Sequence, residues 1–116
     1  MIKSRVTLKQ LEAFVQVVDI GTFRGAAATL GTTQPNISAR IAALEEMLDV
    51  TLMHRDAGSV RLTETGSTLL PAARAALQSA EAFLEAADAF LEATDAFLDP
   101  IAILEPWRSP ASYFRL

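Results

Sequence analysis

Residues 22–48 read Thr-Phe-Arg-Gly-Ala-Ala-Ala-Thr-Leu-Gly-Thr-Thr-Gln-Pro-Asn-Ile-Ser-Ala-Arg-Ile-Ala-Ala-Leu-Glu-Glu-Met-Leu, and their reading decides the fold. Thr22 is placed to cap a short helix, and the Ala26, Ala27, Ala28 run lets a second helix approach it closely. Leu30 supplies that helix with a buried anchor. Gly31 ends it, because glycine adopts the left-handed conformation at little cost. Thr33 then caps a second helix, with Pro35 in the first turn, where a missing N–H removes no bond. Within it Ile37, Ile41, Leu44 and Leu48 recur at helical spacing and predict one buried stripe. The opposite face carries Pro35, Ala39 and Ala42, flanked by Asn36, Ser38 and Arg40. Two readings fit such a short-chained face: a helix that enters the major groove of DNA in a helix-turn-helix, or a helical hairpin with an alanine-rich surface.

Working outward, Thr7-Leu8-Lys9-Gln10 is a capping-box pattern. It predicts a helix whose inner stripe is Leu8, Leu11, Phe14, Val15 and Val18. After the second helix, Val50-Thr51-Leu52-Met53-His54-Arg55 alternates and is β-prone. Asp56-Ala57-Gly58-Ser59 reads as a turn and Val60-Arg61-Leu62 as the returning strand. Three helices and a two-stranded wing make a mainly α winged helix-turn-helix.

From Thr63 the pattern is one long helix, capped by that threonine, with Glu64 at its positive end. Gly66 and Pro71 are expected to weaken or kink its first turns, and Pro100 to end it. Leu70, Leu77, Leu84, Leu91 and Leu98 recur every seven residues, accompanied by Phe83, Phe90 and Phe97. This is the signature of a coiled-coil seam. The alternative is a helix folded back on its own domain. Glu81-Ala-Phe-Leu-Glu-Ala-Ala87, Asp88-Ala-Phe-Leu-Glu-Ala-Thr94 and Asp95-Ala-Phe-Leu-Asp99 form an internal repeat that lengthens the helix without changing its face. The expected organisation is a winged helix-turn-helix domain over 1–62, a linker and dimerisation helix over 63–99, and an irregular Pro/aromatic tail over 100–116.

In order and spacing these blocks resemble the N-terminal domain of the LysR-type transcriptional regulators of bacteria, over residues 6 to about 80. The matching stretches are Leu8 to Phe14, Gly21-Thr22-Phe23 with Ala26-Ala27, Thr33-Gln34-Pro35 with Ser38, and Ile41 with Leu44-Glu45-Glu46. Leu52, Arg55, Val60-Arg61-Leu62-Thr63, Gly66 and Leu70-Pro71 complete the series. The resemblance implies sequence-specific binding of double-stranded DNA as a homodimer, for transcription regulation. It puts Gln34, Pro35 and Ser38 at the bases, with Asn36 and Ala39 beside them on the same helix start. Gln pairs bidentately with adenine, and an apolar proline packs on a thymine methyl. Thr33, Arg55 and Arg61 are expected on phosphates. The wing is expected at the minor groove or the backbone, and the long helix is expected to pair antiparallel with that of a second copy. Where the family often has arginine directly after the serine, this chain has Ser38-Ala39-Arg40. The guanidinium therefore lies about 100° further round the helix, which assigns Arg40 to a phosphate or the groove edge. The wing tip, Gly58-Ser59, also lacks the arginine often found there.

Composition bounds the remaining functions. The chain has 116 residues, a formal net charge of −4 and no cysteine, which excludes disulfides and thiolate metal sites. Residues 1–62 hold seven Lys+Arg against six Asp+Glu, and residues 63–116 hold three against eight, so the acidity belongs to the C-terminal half. Arg24, Arg40, Arg55 and Arg61 must then supply a focused positive patch. No signal-peptide pattern or membrane span is read, and a cytoplasmic setting is expected. His54, the single histidine, reads as a wing-strand residue. The carboxylates from Glu81 to Asp95 read as a solvated helix face. No enzyme, metal or cofactor is expected. The resemblance would continue into an effector-binding α/β domain, for which these residues leave no room. The chain is thus expected to be a fragment or a short natural protein, with no small-molecule effector site. A second role fits the same pattern: a truncated interaction protein forming mixed dimers with a full-length regulator through the long helix.

Overall fold

The computed structural model describes residues 5–56 and 59–104, with side chains as far as 94. The element order is α1 (Leu8–Ile20), α2 (Phe23–Leu30), α3 (Gln34–Leu48), β1 (Met53–Asp56), β2 (Ser59–Leu62) and α4 (Glu64–Leu104). Three helices followed by an antiparallel two-stranded wing and a long helix are the architecture read from the sequence. The chain divides into two compact units, 1–78 and 79–116.

Each helix begins where local chemistry satisfies its orphan N–H groups. Thr7 Oγ1 accepts from the Gln10 N–H at 3.2 Å, and Gln10 Oε1 accepts from the Thr7 N–H at 3.0 Å, closing the predicted capping box. Thr22 Oγ1 accepts from the Gly25 N–H at 2.9 Å, and Thr33 Oγ1 from that of Asn36 at 3.2 Å. Gly31 closes α2 at φ +66°, so the tight turn into α3 uses a conformation that other residues reach only under strain.

The core of the first unit joins all three short helices to the wing. Phe14, Val17, Ile37, Leu44 and Leu52 are its largest fully buried side chains. Ile37, Ile41 and Leu44 face inward as their spacing predicts, with Leu48 half-buried behind them. The stripe expected on α1 needs one correction. Leu8 is 52% exposed, whereas Val17 is 0% exposed. Buried positions on α1 run from Ala13 to Val17, and Leu8 stands at the first helical position, before that packed stretch.

β1 begins at Met53, later than the alternation beginning at Val50 suggests. The N–H groups ahead of it are spent elsewhere. Val50 N–H bonds to the Glu45 carbonyl at 3.1 Å, closing α3, and Leu52 N–H bonds to Glu45 Oε2 at 2.7 Å. Asp49, at φ +57°, turns the chain directly after α3. The ladder then pairs Met53 with Leu62, His54 with Arg61, Arg55 with Val60 and Asp56 with Ser59. Ala57 and Gly58, at the wing tip, lie outside the described residues.

Thr63 caps α4 as predicted. Its Oγ1 accepts from the Gly66 N–H at 2.9 Å and donates to the Thr51 carbonyl at 2.6 Å. In the first unit Ala73 is buried, and Leu69, Leu70 and Leu77 pack half-buried against the core. Of the heptad leucines, Leu70 and Leu77 are thus in contact with their own domain. Arg74 of α4 pairs with Asp19 of α1, donating to both carboxylate oxygens at 3.0 and 2.5 Å.

Those hydrogen bonds, and to a lesser degree the guanidinium charge, hold the Asp19 carboxyl below its ordinary range. A depressed folded-state pKa stabilises the fold above the unfolded value, near ~3.9, and that contribution is lost as pH falls through the folded value. Asp19→Asn is therefore expected to lower Tm at neutral pH, the difference closing in scans below about pH 4. A difference that persists unchanged into acid would show that the pair is not the cause.

In the second unit Phe83, Leu84, Phe90 and Leu91 are 71%, 59%, 64% and 42% exposed. α4 continues through Pro100 to Leu104, against the expectation that Pro100 ends it. Proline lacks the N–H that would bond back along the helix, so it removes one bond without forbidding the turn that follows. The side chains of Phe97 and Leu98 and the tail 105–116 lie outside the described residues.

Candidate nucleic-acid interface

Short side chains and a proline make the first turns of α3 a surface that another body can approach closely. Gln34, Pro35, Asn36 and Ala39 are exposed there, and Ser38 and Arg40 are half-buried. Thr33 Oγ1 takes the Asn36 N–H, which leaves its own hydroxyl hydrogen free to donate outward. Asn36 Nδ2 donates to Thr32 Oγ1 at 2.9 Å, fixing that amide at the helix start.

Beside this surface the wing and α2 close a cleft of about 380 Å³ lined by Thr22, Phe23, Arg24, Gln34, Arg55, Ser59 and Val60. Arg55 organises it. Its Cζ lies 3.8 Å above the centroid of the Phe23 ring, and its Nη1 donates to Ser38 Oγ at 3.2 Å. One guanidinium thus joins β1 to the first helical residue of α2 and to the middle of the exposed face of α3. Stacking on a ring that is 5% exposed holds the plane of the charge while leaving other N–H groups to donate.

The four arginines expected to form the positive patch separate into different environments. Arg24 and Arg55 line the same cleft. Arg61, on β2, is engaged by Asp56, with Nε at 2.8 Å and Nη2 at 2.7 Å from Oδ2. Both side chains are more than half exposed, and such a surface pair is weak enough for a phosphate to displace the carboxylate. Arg40 sits half-buried on α3, with no side-chain hydrogen bond or ion pair among the described residues.

Two positioning residues stand in the stretches that carry the resemblance but had no role assigned from the sequence. Glu45 sends its carboxylate from the back of α3 to the N–H groups of Leu52 and Met53, at 2.7 and 3.4 Å, and so ties the start of the wing to α3. Phe23 supplies the platform for Arg55. Its signal was an aromatic directly after a cap, which reads equally well as core. Among the described residues no cluster of His, Cys, Asp or Glu is suited to a metal ion, and no helix is long and apolar enough to cross a membrane.

This surface can be set beside those of known proteins. Residues 8–67 match the family described as bacterial regulatory helix-turn-helix protein, lysR family. An uncharacterised HTH-type transcriptional regulator from the ibpB-leuC intergenic region of Azotobacter vinelandii is 50% identical over 66 residues, covering 57% of this chain and 46% of that protein. The HTH-type transcriptional activator TtdR of Escherichia coli K12 is 44% identical over 66 residues, 57% of this chain and 21% of its own length. The chain thus spans less than half the length of these curated relatives. Among solved structures, the Corynebacterium glutamicum OxyR C206 mutant superposes with a TM-score of 0.71 at 40% identity, covering 73% of this chain and 27% of that one. The DNA-binding domain of CbnR in complex with DNA superposes at 0.67 and 32% identity, over 72% of this chain and 95% of that one. Fold, helix-turn-helix spacing and family match agree: this chain belongs to the lysR family of bacterial regulatory helix-turn-helix proteins.

Proposed function

We propose that the first unit binds double-stranded DNA with the start of α3 in the major groove, as the DNA-binding part of a bacterial transcription regulator. The observation that carries this reading is the exposed Gln34, Pro35, Asn36 and Ala39 face standing beside the Arg24 and Arg55 cleft. Gln34 has the donor and acceptor pair that adenine requires, and Pro35 presents an apolar edge to a thymine methyl. Ser38, Asn36 and Ala39 complete the approach to the bases. Thr33, Arg40 and Arg55 take phosphates or the groove edge, as does Arg61 once released from Asp56, and the wing lies against the minor groove or backbone. DNA complexes of the CbnR and BenM domains, of similar fold, support the placement by analogy. The cytoplasm, where bacterial DNA is reached, is the setting that this function requires.

Two-fold related half-sites are engaged when a second copy pairs through α4. The exposed Phe83, Leu84, Phe90 and Leu91 supply its seam, extended by Phe97 and Leu98, while Leu70 and Leu77 are already half-buried in their own domain. The same exposed seam favours a second reading, in which a longer member of the family supplies the partner helix.

Selection of duplexes from a random pool, followed by titration of Gln34→Ala and Ser38→Ala, tests the groove assignment. Each substitution is expected to weaken the selected duplex about fivefold to a hundredfold while leaving random duplex nearly unchanged. Equal loss on both kinds of duplex would remove these residues from base readout.

A further inference from the structure

A serine hydroxyl is ordinarily indifferent to the base it meets. It rotates to suit, donating to an acceptor or accepting from a donor, so by itself it discriminates little among base edges. Ser38 lacks that freedom. Arg55 Nη1, on the wing strand, donates to its Oγ at 3.2 Å. The Ser38 side chain makes no other hydrogen bond among the described residues, so its hydroxyl hydrogen is left without an acceptor. The donor is held in place. Its guanidinium lies over the Phe23 ring, with Cζ 3.8 Å from the centroid, and Arg55 itself is fixed in the ladder opposite Val60. A guanidinium carries only donors and keeps its charge at any working pH, so Ser38 Oγ always faces the same partner. A second N–H brought to that oxygen would approach a full positive charge at hydrogen-bond distance. Residues 20–44 contain no Asp or Glu, so no carboxylate on α2 or the first turns of α3 reverses that field. Acceptance is therefore disfavoured, and donation is what Ser38 has left to offer.

We infer that Arg55, through this hydrogen bond, fixes Ser38 as a donor toward the major groove, so that the base edge it meets must present an acceptor. Guanine, with N7 and O6, is favoured, and cytosine, which presents only its amino donor, is rejected. Adenine and thymine, with one acceptor each, stand between them. The other N–H groups of Arg55 stay available to a phosphate, so the strand that grips the backbone also sets what α3 reads. Arg55 is thus a positioning residue that acts through Ser38. The inference rests on the reading of the α3 start as the groove surface.

The test starts from a duplex selected with the full chain. The base pair whose preference disappears in Ser38→Ala marks the position that Ser38 meets. Four duplexes varied at that pair alone are titrated at about 50 mM salt, where phosphate contacts keep weakened variants bound. The full chain is expected to favour guanine over cytosine at that edge by about fivefold or more. Arg55→Met keeps a long stem beside Phe23 but has no donor. It is expected to weaken all four duplexes together and to cut the guanine-to-cytosine ratio to within about twofold. Ratios at pairs that depend on Gln34 should stand as in wild type, which a general disturbance of the domain would not allow. In a Ser38→Ala background, Arg55→Met should change no ratio further. A preference for cytosine in the full chain, or a ratio that Arg55→Met leaves intact, overturns the inference while keeping α3 in the groove. So does a further change of ratio in the Ser38→Ala background, which would make Arg55 itself the reader. If Ser38→Ala alters no position the inference falls, and if Gln34→Ala alters none either, the groove reading falls with it.

Discussion

Gly66→Ala should destabilise the first unit by about 3 kcal/mol, toward the upper end of the cost of forcing an extra carbon into a packed site. The position lies in the opening turn of α4, and a Cβ there would overlap the backbone carbonyl oxygen of Leu52. That oxygen cannot swing aside. It accepts the Thr63 N–H at 3.0 Å, in the connection that sets the start of α4 beside the start of the wing. Leu52 itself is a fully buried core residue whose N–H is held by Glu45. Relief of the clash must therefore move the helix, the wing or the core. For a domain of this size the expected fall in Tm is about 10–20 °C by calorimetry or circular dichroism. A Tm within about 2 °C of wild type would show that α4 and the wing are not in contact at Gly66. The neighbouring exposed substitution Ser67→Ala serves as the control, with little expected change.

Arg55→Ala should have the largest effect of any single arginine on DNA affinity, about tenfold to a hundredfold at physiological salt. Three things leave with the guanidinium: the contact with the Phe23 ring, the hydrogen bond to Ser38 and a positive charge at the cleft. Arg55→Lys keeps the charge but loses the planar stack and the fork of donors, so it is expected to recover the salt slope more fully than the affinity. Arg61→Ala is expected to cost less, because the Arg61 side chain must first be drawn away from Asp56. Fluorescence titration at several salt concentrations separates these outcomes. The slope of log K against log salt should fall by about one in Arg55→Ala and stay near wild type in Arg55→Lys. If Arg55→Lys matches wild type in both affinity and slope, Arg55 acts as a charge alone and the stack on Phe23 has no part in binding.

Most of the fold was legible because its signals are local. A threonine three residues before an N–H that needs a partner, a glycine after the last apolar position and an i, i+4, i+7 stripe are each complete within a few residues. The caps at Thr7, Thr22, Thr33 and Thr63 and the turn at Gly31 accordingly stand where they were read. Errors arose where a local pattern competed with a distant partner. Val50 and Thr51 look β-prone, yet the N–H groups of Val50 and Leu52 are taken by Glu45, so the ladder opens at Met53. Leu8 fits the periodicity of α1, yet it stands exposed at the first helical position, before the packed stretch. Gly66 was read for its weakness inside a helix, whereas its use is the room that it leaves for the Leu52 carbonyl.

The candidate interface divides the same way. The exposed residues of α3 follow from the position of the apolar stripe, since whatever is opposite Ile37, Ile41 and Leu44 must face outward. Local chemistry in the sequence therefore determined the helices, their caps, the wing and the face of α3 that is offered to a partner. Only the tertiary structure decided that Arg55 joins Ser38 across 17 residues and that Arg74 joins Asp19 across 55. It alone turned Leu70 and Leu77 toward their own domain and left Phe83 and Phe90 exposed. The reason is physical. Caps and stripes are satisfied by neighbours along the chain, but the partner of a side chain at the edge of an element is whatever packing brings within about 4 Å.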